Sequence, residues 1–160
     1  MRYPEEVAAR VDTDDGFEGF VAEVEPRLRR ALVAAYGSQR GREATAEALG
    51  WAWEHWATAR ALATPVPYLF KVGRSRTRTR KTPAVFDIPA HHEPRVEPKL
   101  AKALGSLTEH QRVAVVLVHG YGWTMREVAE LDDIAVTTVQ NHLDRALGKL
   151  RRHLEVQLDG

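Results

Sequence analysis

Two helix-start signals followed by one long basic helix constrain this chain more than anything else in it. Thr108 with Gln111, and Thr124 with Glu127, each fit a capping box. In that motif a hydroxyl and a longer polar side chain each occupy a free backbone N–H at the opening of a helix. The first box opens a helix through Val113, Val116 and Leu117, which Gly120-Tyr121-Gly122 ends. The second opens a short helix from Thr124 to Leu131. Asp132-Asp133-Ile134 then reads as a turn, and Val136 to Leu154 as a longer helix. Val139, Leu143, Ala146, Leu147, Leu150 and Leu154 face inward on it. With a short helix marked by Leu100, Ala103, Leu104 and Leu107, this makes four helices in roughly 55 residues. The order short helix, tight turn, longer helix is helix-turn-helix spacing.

Val128 and Ala129 are expected to face the neighbouring helix, with the small residue permitting a close crossing. Ile134 fills the space beneath the turn, and Val139 locks the second helix to the first. That leaves Thr137, Thr138, Gln140, Asn141, His142 and Arg145 for contact with a groove. Asn and Gln pair bidentately with adenine, and Arg reads guanine or grips phosphate. The plainer alternative is a helical hairpin with a solvated polar face.

Upstream, Phe17, Phe20, Val21, Val24, Leu28, Ala31, Leu32 and Ala35 form a helical stripe of about five turns, with Pro26 expected to kink or split it. Residues 1–15 read as a frayed acidic lead. Gly37 to Gly41 is a break. A second helix is expected from Arg42 to Ala61, with Ala44, Ala48, Leu49, Ala52, Trp53 and Trp56 on one side and Trp51 off the stripe. Thr64 to Pro67 interrupts the chain, and Tyr68 to Arg78 resumes a helix. Residues 81–98 hold four prolines and mixed charge, the composition of an extended linker, in which Val85, Phe86 and Ile88 are the residues able to dock. The pattern predicts an all-α fold of two small helical domains joined by a Pro-rich linker. Domain boundaries fall at 1–80, 81–98 and 99–160, the last a four-helix, winged-helix-like helix-turn-helix domain.

The net charge of the 160 residues is only +1, but it is unevenly placed. Residues 1–26 carry eight acids and two bases, whereas 71–81 carry six bases and no acid. Segregation of this kind produces a binding stripe that the bulk value hides. Within the basic run Lys71, Arg74 and Arg78 share a helix face suited to phosphates; a solvated charged tail is the competing reading. Trp53 and Trp56 are expected in the core, and Trp51 and Tyr68 are the better candidates for exposed stacking on bases.

Enzymatic chemistry finds little support. Without cysteine there are no disulfides, thiolate nucleophiles or Cys-based zinc sites. There is no glycine-rich phosphate loop, no suggestive Ser/His/Asp set, and His91-His92 in a proline-rich segment is a poor metal site. No catalytic residue, metal or cofactor is expected. No apolar run approaches the roughly 18 residues of a spanning helix, and the acidic start is unlike a signal peptide. A cytoplasmic protein without membrane insertion follows.

Taken together, the chain resembles the small two-domain sigma factors of bacterial RNA polymerase, the extracytoplasmic-function (ECF) group of the sigma-70 family. The resemblance covers about 17–80 and 99–155. It rests on Ala103-Leu-Gly-Ser-Leu-Thr-Glu-His-Gln-Arg-Val113, on Thr124-Met-Arg-Glu-Val-Ala-Glu-Leu131, and on the helix from Thr138 to Leu154. Upstream it rests on Glu43 to Trp56 and on Pro67-Tyr-Leu-Phe-Lys-Val-Gly-Arg-Ser-Arg76. It implies a specificity subunit that binds core polymerase, at the β′ clamp and β flap, and directs promoter-specific initiation without bond chemistry. Thr137, Thr138, Gln140, Asn141, His142 and Arg145 match the −35 reading helix. Tyr68, Lys71, Arg74, Ser75 and Arg78 fall on the −10 surface; Glu43, Glu47, Trp51 and Glu54 fall on the polymerase-binding surface. Trp53 matches a tryptophan that packs the domain. Promoter DNA, and an anti-sigma factor, are the other partners the resemblance implies.

The sequence departs from the family at three places. Glu43-Ala-Thr-Ala46 lacks the glutamine usual before Glu47. Asp132-Asp133 replaces an apolar residue and the turn glycine. Ala135 replaces a capping serine, a loss on the order of 1 kcal/mol. Two other readings stay open: a helix-turn-helix regulator that never serves as a polymerase specificity subunit, and a decoy that docks polymerase without promoter activity.

Overall fold

The computed structural model describes residues 4–77 and 98–158, with side chains described for 16–77 and 98–155. Every regular element among them is helical: α1 (Pro4–Tyr36), α2 (Ser38–Glu54), α3 (Trp56–Ala59), α4 (Pro65–Thr77), α5 (Pro98–Gly105), α6 (Glu109–Val115), α7 (Met125–Asp132) and α8 (Val136–Leu158). They form two clusters, 16–77 and 98–155. Of the linker expected over 81–98, residues 81–97, with Val85, Phe86, Ile88, His91 and His92, lie outside the described residues, as do Arg78 and Arg80, while Pro98 opens α5.

In the first cluster α1 packs along α2 and α4. Ala44, Ala48 and Ala52 present α2 as a strip of methyl groups, so Leu28, Leu32, Leu69 and Phe70 close over it and are fully buried. Gly41 permits the tightest approach: a Cβ there would lie 2.5 Å from the Val33 Cα. Gly37, at φ 87°, turns the chain from α1 into α2 in a conformation that costs a non-glycine residue energy. The expected break over 37–41 therefore shrinks to one residue.

Three other boundaries differ from the sequence reading. α1 passes Pro26 without splitting and begins at Pro4 rather than after an acidic lead. Proline removes the hydrogen bond to the carbonyl four residues earlier, here that of Ala22, an exposed residue within reach of water. Pro65 and Pro67 do not interrupt α4 but sit in its first turn, where a missing N–H costs nothing. The second helix ends at Glu54, and Trp56–Ala59 forms a separate turn.

The second cluster follows the sequence closely. Both capping boxes are formed, with Thr108 and Thr124 each accepting from the backbone N–H three residues on while Gln111 and Glu127 reach back. α6 continues through a π-helical turn, Val116–Gly120, before Gly122 at φ 73° redirects the chain. Between α7 and α8, Asp133 adopts the left-handed conformation, φ 55° and ψ 49°, in the place of a turn glycine. Val128, Ala129, Val139, Leu143 and Ala146 are buried where the two helices cross.

The clusters are docked on one another, α1 against α6 and α4 against α7, and the buried residues of both form one continuous core.

Candidate nucleic-acid interface

α8 offers an open face. Thr137, Gln140, Asn141 and Arg145 are exposed and Thr138 is half-buried, all on the side away from the buried Val139–Leu143–Ala146 stripe. His142 is also half-buried and stacks on His110 of α6, ring centroids 5.2 Å apart. Burial holds the His142 pKa below the ordinary histidine value; His110 and Arg145 push the same way, against Asp132. His142 is therefore a neutral donor or acceptor at neutral pH. Its lowered pKa means that the unfolded chain takes up its proton first. Stability is complete above the unfolded value of about 6.5 and is lost as pH falls from there toward the folded value. His110→Ala is expected to raise the His142 pKa, read from its imidazole resonances in an NMR titration.

α4 presents the second face. Tyr68, Lys71 and Ser75 are exposed. Tyr68 and Trp51 lie with ring centroids 5.3 Å apart, and Trp51 stacks on His55 at 4.5 Å. Arg74 is less available. Its side chain keeps 15% exposure and its guanidinium grips Glu109 of α6 twice, at 2.9 and 3.1 Å, and approaches Asp132 of α7 at 3.6 Å. Burial opposes charge on Arg74, yet Glu109 and Tyr36 outweigh it and hold the pKa above that of an ordinary arginine.

On α2, Glu43, Glu47 and Trp51 are half-buried and Glu54 is exposed. Trp53, expected in the core, is 46% exposed. Burial on α2 follows the alanines at 44, 48 and 52, so position 53 turns outward. Its indole meets Phe17 edge-on at 4.8 Å, while Trp56 packs on Phe17 and Phe20. An aromatic group thus remains partly open near the C-terminal end of α2.

Of the residues that bind the clusters together, Arg112, Arg27, Arg30 and Trp123 were not singled out in the sequence. Arg112, in the interior, donates from Nε to the Ala34 carbonyl at 3.0 Å, from Nη2 to Ala35 and from Nη1 to Leu107. Arg27 lies over the Trp123 ring at 4.1 Å and near Glu127 at 3.6 Å; Arg30 lies over Tyr121 at 4.9 Å. Lys71 meets Asp133 at 3.5 Å. Asp132, read as lost apolar packing, has a side chain only 1% exposed and holds His110 Nδ1 at 3.3 Å as well as facing Arg74. The available signals were an arginine among apolar residues at 112 and an acid pair at 132–133.

The described residues contain no group of side chains arranged to hold a metal ion, and no helix among them is long and apolar enough to cross a membrane.

Residues 98–150 match the family model for sigma-70, region 4. By fold the likeness extends further. The sigma factor RpoE from Bartonella quintana, solved with the anti-sigma factor NepR, superposes with a TM-score of 0.65 at 21% identity, covering 88% of this chain and 97% of that one. CnrH, solved with the cytosolic domain of CnrY, gives a TM-score of 0.58 at 21% identity, covering 88% of both chains. No curated protein matches in sequence.

Proposed function

We propose that the protein is an ECF sigma factor, a dissociable subunit that binds core RNA polymerase in the cytoplasm and directs it to promoters. The observation that carries this is a match to sigma-70, region 4 over residues 98–150, with an open polar face on α8, in a chain of which 88% superposes on RpoE. Thr137, Thr138, Gln140, Asn141, His142 and Arg145 enter the major groove at −35. Tyr68, Lys71, Arg74, Ser75 and Arg78 meet the −10 element. Glu43, Glu47, Trp51 and Glu54 dock on the polymerase clamp, and the C-terminal domain rests on the flap. The domains are 1–80 and 99–160, with 81–98 spanning between them. Two modest DNA contacts made by one assembly act through effective concentration, and opening of the duplex follows from preferential binding of the open strand. RpoE was solved with the anti-sigma factor NepR and CnrH with the cytosolic domain of CnrY, and an anti-sigma factor is proposed as a partner here too.

Initiation reconstituted with core polymerase and a promoter library tests the reading. Start sites that appear only with this protein and share −10 and −35 motifs are the expected result. Asn141→Ala with Arg145→Ala should lower −35-dependent initiation by about tenfold or more, since each base contact is worth about 1–3 kcal/mol. Polymerase binding should survive that change and weaken with Glu43→Ala and Glu47→Ala. No new start sites with any promoter would sink the proposal.

A further inference from the structure

The reading face of α8 carries one group whose charge is not fixed. Threonine, glutamine and asparagine never ionise and arginine is always charged, which leaves His142 among the six residues of that face. His142 does not stand alone. Its ring lies on that of His110, with centroids 5.2 Å apart and planes within 18° of parallel. His110 in turn places Nδ1 3.3 Å from the Asp132 carboxylate, whose side chain is 1% exposed. A carboxylate only accepts, so His110 donates from Nδ1 and its tautomer is set. The other charges here are Arg74 of α4, 3.6 Å from the second Asp132 oxygen, and Glu109 of α6, which Arg74 holds at 2.9 Å. Arg145 lies one turn along α8 on the same face. His142 thus has a titratable ring against it, an acid behind that ring and a guanidinium beside it.

We propose that His110 and His142 make DNA binding by α8 proton-linked: His142 is a neutral ring in the free protein, takes up a proton as phosphates close around it, and His110 sets the pH at which it does so. The proposal rests on reading α8 as the DNA-facing helix. On the inner side, two stacked imidazoles share one positive charge readily and resist a second, because like charges so close oppose each other. Burial first, then His110 and Arg145, hold the proton affinity of His142 down, and Asp132 opposes them. On the outer side DNA reverses the balance. A phosphate gripped by Arg145 cancels the cation that disfavours a charged ring, and the remaining phosphates favour it. The proton comes from solvent and goes to the bare ring nitrogen, so no other group has to ionise. Protonation also changes what is read. A neutral imidazole offers one donor and one acceptor, whereas an imidazolium offers two donors, suited to phosphate oxygens or to the acceptors of guanine. Because His142 binds its proton more tightly in the complex than in the free chain, affinity for DNA rises as pH falls through the interval between the two values. The rise is at most about tenfold per pH unit and stops on either side of the interval. Its lower limit is the free value, which lies below that of an ordinary histidine. His110 acts through His142 and is a positioning residue.

The test uses the full chain and a short random-sequence duplex at fixed low salt. Imidazole resonances of His142, assigned by their loss in His142→Gln, should titrate at higher pH with the duplex than without it. Binding is followed by fluorescence anisotropy from about pH 8 to about pH 5.5, a range that spans the ordinary histidine value. Over it the parent affinity should gain several-fold more than that of His142→Gln, whose side chain never ionises; the remaining histidines are common to both chains and cancel. His142→Lys, charged throughout, should bind tightly across the range and lose the extra pH dependence. His110→Gln keeps a donor for Asp132 but carries no charge. It should move the parent profile to higher pH, an effect that loss of packing alone does not produce. Thermal melts at the two ends of the range confirm that each variant is folded. A His142 titration unmoved by the duplex, no duplex binding at any pH, or identical pH profiles for the parent and His142→Gln overturns the proposal. Initiation separates this result from the reading beneath it. A chain that directs no start site yet shows both effects keeps the proton-linked reader and loses the role in transcription. A chain that directs start sites with identical parent and His142→Gln profiles keeps that role and loses the linkage.

Discussion

Gly41→Ala is expected to destabilise the protein by about 3 kcal/mol or more, although alanine is the better helix former by about 1 kcal/mol. The added methyl has no flexible neighbour to displace. It would lie 2.5 Å from the Val33 Cα, 2.6 Å from the Val33 nitrogen and 2.8 Å from the Leu32 carbonyl carbon, all backbone of α1. Relief requires α1 and α2 to separate along the line where Leu28, Leu32, Ala44 and Ala48 are fully buried. Gly148→Ala supplies the control. That glycine lies within α8 with nothing inside 4 Å of the added carbon, so the helix-propensity gain should appear undiminished, raising stability by about 1 kcal/mol. Chemical denaturation of the two variants reads the difference directly. A Gly41→Ala protein as stable as its parent would mean that the helices do not cross at Val33.

The contrast between what the sequence yields and what it conceals follows the range of the interactions. Capping boxes at Thr108 and Thr124 are complete within four residues, and both form as expected. The turn at Asp133 is equally local, because a left-handed residue is demanded by the spacing of two helices whose apolar faces are plain in the sequence. Trp53 shows where apolar character misleads. Tryptophan has more to gain from burial than alanine, yet the close approach of α1 selects the small side chains at 44, 48 and 52 for the interface. The indole is left at the edge. Pro26 and Pro65 show the same limit for backbone rules: whether a proline breaks a helix depends on whether the orphaned carbonyl meets water and on its place in the turn.

The docking of the two clusters was the least legible feature. Arg74 and Glu109 are 35 residues apart, and Arg112 and Ala34 are 78 apart. No local pattern connects them, and each charge taken alone reads as a solvated surface group. Asp132 and Asp133 were visible as departures, but a departure shows only that something else is being satisfied. Their partners became evident once α4 and α7 were side by side. For the candidate interface the division is similar. The open face of α8 was assigned from its spacing. That Arg74 is held by acids of the other cluster, and that His142 stacks on His110, depended on the tertiary arrangement.

Arg112→Met is expected to cost on the order of 3 kcal/mol and to uncouple the two clusters, even though methionine fills most of the same volume. The argument is an accounting of carbonyls at the end of α1. The last four carbonyls of any helix lack partners within it. Here the Val33 carbonyl accepts from the Gly37 N–H at 2.8 Å, and those of Ala34 and Ala35 accept from Arg112. The third arm of the guanidinium reaches the Leu107 carbonyl at 2.9 Å, so one planar group joins α1 to the loop before α6. Burial lowers the Arg112 pKa from the ordinary arginine value, with Glu109 and Tyr36 opposing, but an arginine stays charged throughout the accessible pH range. Removing it leaves three acceptors in a water-poor site, each worth about 1–3 kcal/mol if nothing replaces the donor. Arg112→Lys should recover less than half of the loss, because an ammonium on a flexible stem cannot hold carbonyls of both clusters in one plane. Equilibrium denaturation followed by circular dichroism and by tryptophan fluorescence distinguishes the outcomes. Coincident transitions are expected for the parent chain, whose core is continuous, and separated transitions for Arg112→Met, since three of the four tryptophans belong to the first cluster. A methionine variant within 1 kcal/mol of its parent, unfolding in one step, would place the coupling elsewhere, in the Arg74 pairs or the rings over Arg27 and Arg30.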